Sequence, residues 1–132
     1  MPEIVASLTE GSREMARDYR KLRVFHLADD VVTDVYKVTS RFPASERFGL
    51  TQQLRRAAVS VPCNIVEGSA RRKTRDFLNF CSIAAGSANE ARYLLDVSHR
   101  LGFLAIKDSQ RLTEIYTEVV GGLQARLDEL AN

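Results

Sequence analysis

Tryptophan is absent from these 132 residues, and histidine, cysteine and proline are sparse, with two, two and three copies. Each scarcity removes a class of chemistry. Cys63 and Cys81 are too few and too far apart for a zinc pattern. Both fall at helical positions among small or apolar neighbours, where a free thiol behaves as a small hydrophobe, so both are expected to be reduced and buried. A di-iron bundle needs two Glu-x-x-His pairs. The chain offers one look-alike, Asp96-x-x-His99, and no second, and His26 lacks any such partner. A hydrolase needs a serine or cysteine beside a base. Neither histidine has a recognisable partner, and there is no Gly-x-Ser-x-Gly and no glycine-rich phosphate loop. The expectation is a protein that is not an enzyme and uses no metal and no cofactor. Long apolar runs are missing too: none approaches the roughly 20 residues of a membrane span. The start, MPEIVASLTEG, lacks the basic-then-apolar pattern of a secretion signal. A cytoplasmic protein with no membrane partner is expected.

Strand-like alternation is a further absence, and what takes its place is helical spacing. Val24, Ala28, Val31, Val35, Val38 and Phe42 recur at intervals of four and three, which predicts a helix from about Tyr19 to Ser40, its stripe widened by Phe25, Val32 and Tyr36. Pro43 pushes its predecessor out of the helical region and separates this helix from a second that starts near Ser45. Leu50, Leu54, Ala57, Ala58, Val61 and Ile65 form the second apolar face, and Gly68-Ser69-Ala70 is expected to end it. Thr74 reads as the N-cap of a third helix, with Asp76 suited to its positive end. Its stripe is Phe77, Cys81, Ala84, Ala88, Ala91 and Leu95, and Gly102 closes it. A fourth helix, from about Asp108 to Leu130, carries Leu112, Ile115, Val119, Leu123, Leu127 and Leu130. Four helices with short connections predict an all-α, up-down-up-down antiparallel four-helix bundle over residues 19–131. Residues 1–18 are polar and weakly periodic and read as a frayed extension. A chain of this length buries one core, hence one domain.

The net charge of +2 conceals an uneven distribution. Residues 1–40 carry −1 and residues 76–132 carry −3, whereas residues 41–75 carry +6, with eight basic side chains against Glu46 and Glu67. A basic middle suits an anionic partner. Its dense part is Arg71-Arg72-Lys73-Thr74-Arg75, with Arg55 and Arg56 along the second helix. A run of this kind is ordinarily a solvated loop. Repetition around an oligomer would let weak phosphate contacts add, with a steep dependence on salt. No aromatic residues interleave with the run, which favours backbone or shape recognition over the reading of bases.

The stretch Ser60-Val-Pro-Cys-Asn-Ile-Val-Glu-Gly68 places a proline inside a helix, at about 3 kcal/mol of intrinsic cost. Projected at 100° per residue, Ser60, Asn64 and Glu67 line up beside the apolar face, and Ser87 and Glu90 on the third helix can meet them. Buried polar groups must be paired, so these five are expected to form a structural network that fixes helix register; a ligand or metal site within the bundle is the alternative. On that reading Glu67→Ala should cost about 1–3 kcal/mol. Val59, Pro62 and Val66 project to the opposite side, and a helix apolar on two faces calls for a second subunit.

The run Phe42-Pro-Ala-Ser-Glu-Arg-Phe-Gly-Leu-Thr-Gln-Gln-Leu-Arg-Arg-Ala-Ala-Val-Ser-Val-Pro-Cys-Asn-Ile-Val-Glu-Gly68 resembles the signature of the bacterial four helix bundle protein family, whose founding members are encoded by intervening sequences in 23S ribosomal RNA genes. Tyr19-Arg-Lys-Leu-Arg-Val-Phe25, Ala85-Gly-Ser-Ala-Asn-Glu90 and Leu101-Gly-Phe-Leu104 resemble it as well. The resemblance implies a bundle that assembles into a ring, a homopentamer, with a basic surface. A related branch serves diversity-generating retroelements, where it contacts a reverse transcriptase and nucleic acid. Carried over by position, the resemblance marks Arg55, Arg56, Ser60, Asn64, Glu67 and Gly68, then Gly86, Ser87 and Glu90, none of them as catalytic. The expected function is a non-enzymatic ring-like homo-oligomer that binds structured RNA or DNA through Arg55, Arg56, Arg71, Arg72, Lys73 and Arg75, as a ribonucleoprotein scaffold. The alternative is a protein-interaction scaffold whose arginines pair with carboxylates between subunits.

Overall fold

A computed structural model describes residues 16–130, and among them the secondary structure is helical throughout. Four long helices, α1 (Arg23–Thr39), α2 (Leu50–Ser69), α3 (Thr74–Arg100) and α4 (Ile106–Leu130), are accompanied by two 3-10 turns, Tyr19–Lys21 and Ala44–Glu46. The anticipated apolar stripes supply the core. Ala28, Val31, Val35, Leu54, Ala58, Val61, Ile65, Phe77, Cys81, Ala84, Ala88, Ala91, Leu95, Leu112, Val119 and Leu123 are almost wholly buried in one cluster drawn from all four helices. In α4 the register is set by Tyr116, which is fully buried where Ile115 is only partly so.

Pairings along the helices establish their directions. Arg23, at the start of α1, lies 3.4 Å from Glu118 in the middle of α4, and Asp34, near its end, lies 3.3 Å from Arg111 in the first turns of α4. Ser60 meets Ser87, and Gly68 meets Phe80 further back along α3. Both pairs of helices are therefore antiparallel. Each helix packs on two neighbours in the cyclic order α1-α2-α3-α4, and the backbones of the diagonal pairs do not approach closely. The α1–α2 and α3–α4 connections share one end, where the Phe42 and Phe103 rings lie 6.0 Å apart. The α2–α3 connection lies at the other.

The boundaries differ from the sequence reading for local reasons. Leu22 is extended, so the first helix divides into a turn capped by Asp18 and the α-helix proper. The second α-helix starts at Leu50, not near Ser45, because Ala44–Glu46 forms a 3-10 turn first. The Glu46 carboxylate then accepts the Leu50 N–H at 3.0 Å, and a Cβ on Gly49 would stand 2.7 Å from that same carboxylate oxygen. Thr74 is the first residue of α3 and Lys73 occupies the cap position. At the far end of α3, Gly102 takes φ +82° and its N–H reaches His99 O while Phe103 N–H reaches Ser98 O, which is the Schellman closure.

Gly68 does not end α2, which runs on to Ser69. Its bare Cα is where α3 comes closest: an added Cβ would lie 2.6 Å from Phe80 Cβ and 3.3 Å from Phe77 O. Pro62 sits inside a continuous α2 and is itself buried, so the second apolar face is partly covered within the single chain, with Val59 and Val66 at intermediate exposure. Cys81 is buried as expected. Cys63 is exposed, because α2 turns that position away from its two neighbouring helices. The extension reading of residues 1–18 falls mostly outside the described residues. The part within them is docked: Arg17 N–H donates to Ser69 O at 2.7 Å, and its guanidinium lies 4.3 Å over the Phe77 ring.

Candidate nucleic-acid interface

The polar stripe of α2 divides into a joined part and an open part. Ser60 and Ser87 share a hydrogen bond of 2.8 Å across the α2–α3 seam, and Asn64 Nδ2 donates to Ser60 O at 2.8 Å and to Ser60 Oγ at 3.0 Å. Asn64 thus supports the Ser60 carbonyl, not that of Ala58, which Pro62 deprives of its helical donor. Glu67 does not join this cluster. It faces solvent, 57% exposed, and accepts from Arg71 at 3.2 Å along its own helix. Glu90 is exposed as well; it lines a polar groove with Gln53, Arg56, Ser60 and Ser87 but makes no hydrogen bond among the described residues. The small side chains that let α2 and α3 approach are Ala84 and Ala88, both buried, whereas Gly86 faces open space. Among the described residues no three of His, Cys, Asp and Glu gather where they could hold a metal. Within the stripe, Ser60, Asn64 and Ser87 are the three residues that share hydrogen bonds.

The six basic residues picked from the sequence fall into different environments. Arg55 is held within the chain: Nε donates to Thr39 Oγ1 at 2.8 Å, a terminal nitrogen lies 3.3 Å from Tyr36 O, and the guanidinium stacks 4.4 Å from the Tyr36 ring. It neutralises the carbonyl end of α1, where a cation is favoured. Arg56 is exposed on the outer side of α2, towards the opposite end of the molecule from the basic run. Arg71 is shared between Glu67 and the Phe80 ring, 5.0 Å away. Arg72, Lys73 and Arg75 are exposed at the α2–α3 junction and form no ion pair among the described residues. The structure therefore does not gather the six into one patch; it leaves Arg71, Arg72, Lys73 and Arg75 together.

The fold adds basic residues that the charge blocks of the sequence had assigned elsewhere. The Arg17–Ser69 backbone bond brings the Tyr19–Lys21 turn to the α2–α3 end, with Arg20 tied to Asp18 at 3.0 Å and Lys21 exposed. That hydrogen bond pulls the Asp18 carboxyl below its ordinary range and raises Arg20, so the pair stays ionised. Arg17 is the half-buried member of the group, one terminal nitrogen 3.1 Å from Thr74 Oγ1. Nothing in the local sequence marks Arg17, and Lys21 appears there only as part of the Tyr19–Phe25 run. Only the antiparallel packing of α1 and α2 brings them there.

No helix among the described residues is long and apolar enough to cross a membrane. Compared with known proteins, the chain matches the family model described as 23S rRNA-intervening sequence protein over residues 20–125. Among solved structures, it resembles the crystal structure of a protein of unknown function from the S23 ribosomal protein family of Bacteroides thetaiotaomicron, with 23% identity and a TM-score of 0.70, covering 77% of this chain and 95% of that one. No curated protein matches.

Proposed function

Taking as premise that the chain belongs to the 23S rRNA-intervening sequence protein family, we propose that it binds structured nucleic acid, RNA or DNA, through the α2–α3 end of its bundle and without catalysis. The observation that supports this reading most is the set Arg72, Lys73 and Arg75. Three cations stand within four residues with no carboxylate partner among the described residues, whereas Arg20, Arg23, Arg71, Arg100, Arg111 and Arg126 are all ion-paired. Cations without a carboxylate partner reach phosphate without first breaking an ion pair, and each neutralised phosphate releases counterions. No exposed aromatic residue lies among them for base stacking, so the contact is with backbone and shape. Copies assembled in the ring that the resemblance implies would present the patch repeatedly, as a cytoplasmic ribonucleoprotein scaffold. The competing scaffold reading needs arginines that meet carboxylates; Arg71 does so, but with Glu67 of its own chain.

The test is fluorescence anisotropy of structured RNA and duplex DNA against salt, with the native chain and an Arg72→Ala, Lys73→Ala, Arg75→Ala triple variant. Expected is binding whose logarithm falls linearly with the logarithm of salt concentration, and a slope reduced in the variant by about 0.9 per lost duplex contact, or about 0.7 on single strands. Absence of binding at low salt, or a variant indistinguishable from the native chain, overturns the reading.

A further inference from the structure

Apart from Ile83, the large apolar side chains exposed among the described residues, Tyr36, Phe48, Tyr93, Leu101 and Ile106, belong to the half of the bundle closed by the Phe42–Phe103 contact, away from the basic junction. Tyr36 and Phe48 border a groove of about 540 Å³ on the α1–α2 side, together with Arg47, Gln52, Arg55 and Arg56, and no carboxylate lines it. Each ring carries an arginine. The Arg55 guanidinium lies 4.4 Å from the centre of the Tyr36 ring, and that of Arg47 lies 5.3 Å from the centre of the Phe48 ring. Arg55 is committed to Thr39 Oγ1 and Tyr36 O and adds its charge to the wall. Arg47 and Arg56 are exposed and form no ion pair among the described residues. Phe48, at 79%, is the most exposed large apolar side chain among those residues. The aromatic side chains that the Arg71–Arg75 run lacks are thus interleaved with arginines here, drawn from α1, α2 and the connection between them.

We propose that this groove binds a free nucleotide, its base stacked on Phe48 and its phosphates held by Arg47 and Arg56. The two halves of the groove ask for different chemistry. An inorganic anion would meet the arginines and leave the Phe48 ring in water, whereas an apolar ligand would cover the ring and leave the arginines without counter-charge. A ligand that is planar and aromatic at one end and anionic at the other satisfies both. Base stacking on an aromatic side chain tolerates any base, and the planar guanidinium fork matches phosphate oxygens in pairs. The Gln52 amide offers both a donor and an acceptor to the edge of a base. The volume falls within the roughly 300–1,000 Å³ of small-molecule sites. A self-contained ligand is favoured over a strand, because a strand is tracked by a continuous basic groove. Between Arg56 and Arg71, about 22 Å of helix, the only charged residue on α2 is Glu67, and between Arg75 and Arg92 α3 carries Asp76 and Glu90 but no cation. This site goes beyond the proposed function and does not rest on it.

The test is a nuclear magnetic resonance titration of the isotope-labelled full chain with ATP, at low salt and without magnesium. Expected is saturable binding with shifts at Arg47, Phe48 and Arg56, weakened about 5- to 150-fold by Phe48→Ala, the range for the loss of one stacked base, and retained by Phe48→Trp, which keeps an aromatic face. Tripolyphosphate and adenosine, each carrying half of the chemistry, should bind more weakly than ATP, and Arg47→Ala with Arg56→Ala should abolish the difference between ATP and adenosine. Circular dichroism checks that the variants keep their helix content, as expected at exposed positions. The Arg72→Ala, Lys73→Ala, Arg75→Ala variant should bind ATP as the native chain does, so loss of RNA binding and loss of ATP binding are read separately. No shift at millimolar ATP, tripolyphosphate binding as tightly as ATP, Phe48→Ala indistinguishable from the native chain, or a single-stranded oligonucleotide that binds the groove when ATP does not, each overturns the proposal.

Discussion

At the residue scale, burial and partners separate side chains that look alike in the sequence. Ser60, Asn64, Glu67 and Ser87 project onto one stripe, yet only the serines and the asparagine close a network. Ser87→Ala leaves the part-buried Ser60 hydroxyl short of a partner and should cost about 0.5–1.5 kcal/mol. Glu67→Ala removes an exposed i,i+4 pair and should cost no more than about 0.5 kcal/mol, below the range that a buried network would give. Denaturant titration of the two variants checks the order. The cysteines divide in the same way. Burial raises the Cys81 thiol from an ordinary 9.0 to about 11, offset in part by Arg17 and Arg126. The folded state therefore holds this proton more tightly than the unfolded one, and the associated stability is intact below pH 9 and lost as pH rises towards 11. Burial raises the Tyr116 hydroxyl as well and steepens the same alkaline loss. Chemical denaturation at pH 8 and at pH 10.5 should show native stability falling between them by more than that of Cys81→Ala, by up to about 2 kcal/mol.

At the element scale, α2 and α3 make the tightest seam of the bundle, and Gly68 explains why. Elsewhere in a helix, Gly→Ala gains about 1 kcal/mol of propensity. Here the new methyl would overlap Phe80 Cβ, an atom fixed to the α3 backbone, so the helices must part. Gly68→Ala should therefore destabilise, by about 1–3 kcal/mol, and thermal melting with unchanged helix content would show it. The sign could not be read from the sequence, where the same glycine looks like a helix stop. Apolar periodicity did locate the helix faces, because a stripe repeating at intervals of three and four has one way to be buried. It misplaced ends, at Tyr19–Lys21 and at Ala44–Glu46, because a 3-10 turn and an α-helix share their residue preferences over three positions.

At the scale of the whole molecule, the fold makes a bundle with a basic end and an apolar end. Neither is visible as such along the chain. The basic end joins Arg71 to Arg75 with Arg17, which is more than fifty residues distant, and the other end carries Phe48, Tyr93 and Ile106 exposed on different helix faces. The sequence by itself determined the helix number, the buried stripes, the central basic excess and the family signature, because spacing, composition and motif are properties of a linear order. Only the tertiary structure decided that Glu67 faces solvent, that Arg55 serves α1 while Arg72 meets no carboxylate among the described residues, and which exposed apolar residues share an end. Those outcomes depend on which antiparallel neighbour covers each helix face, and that neighbour lies tens of residues away in the chain.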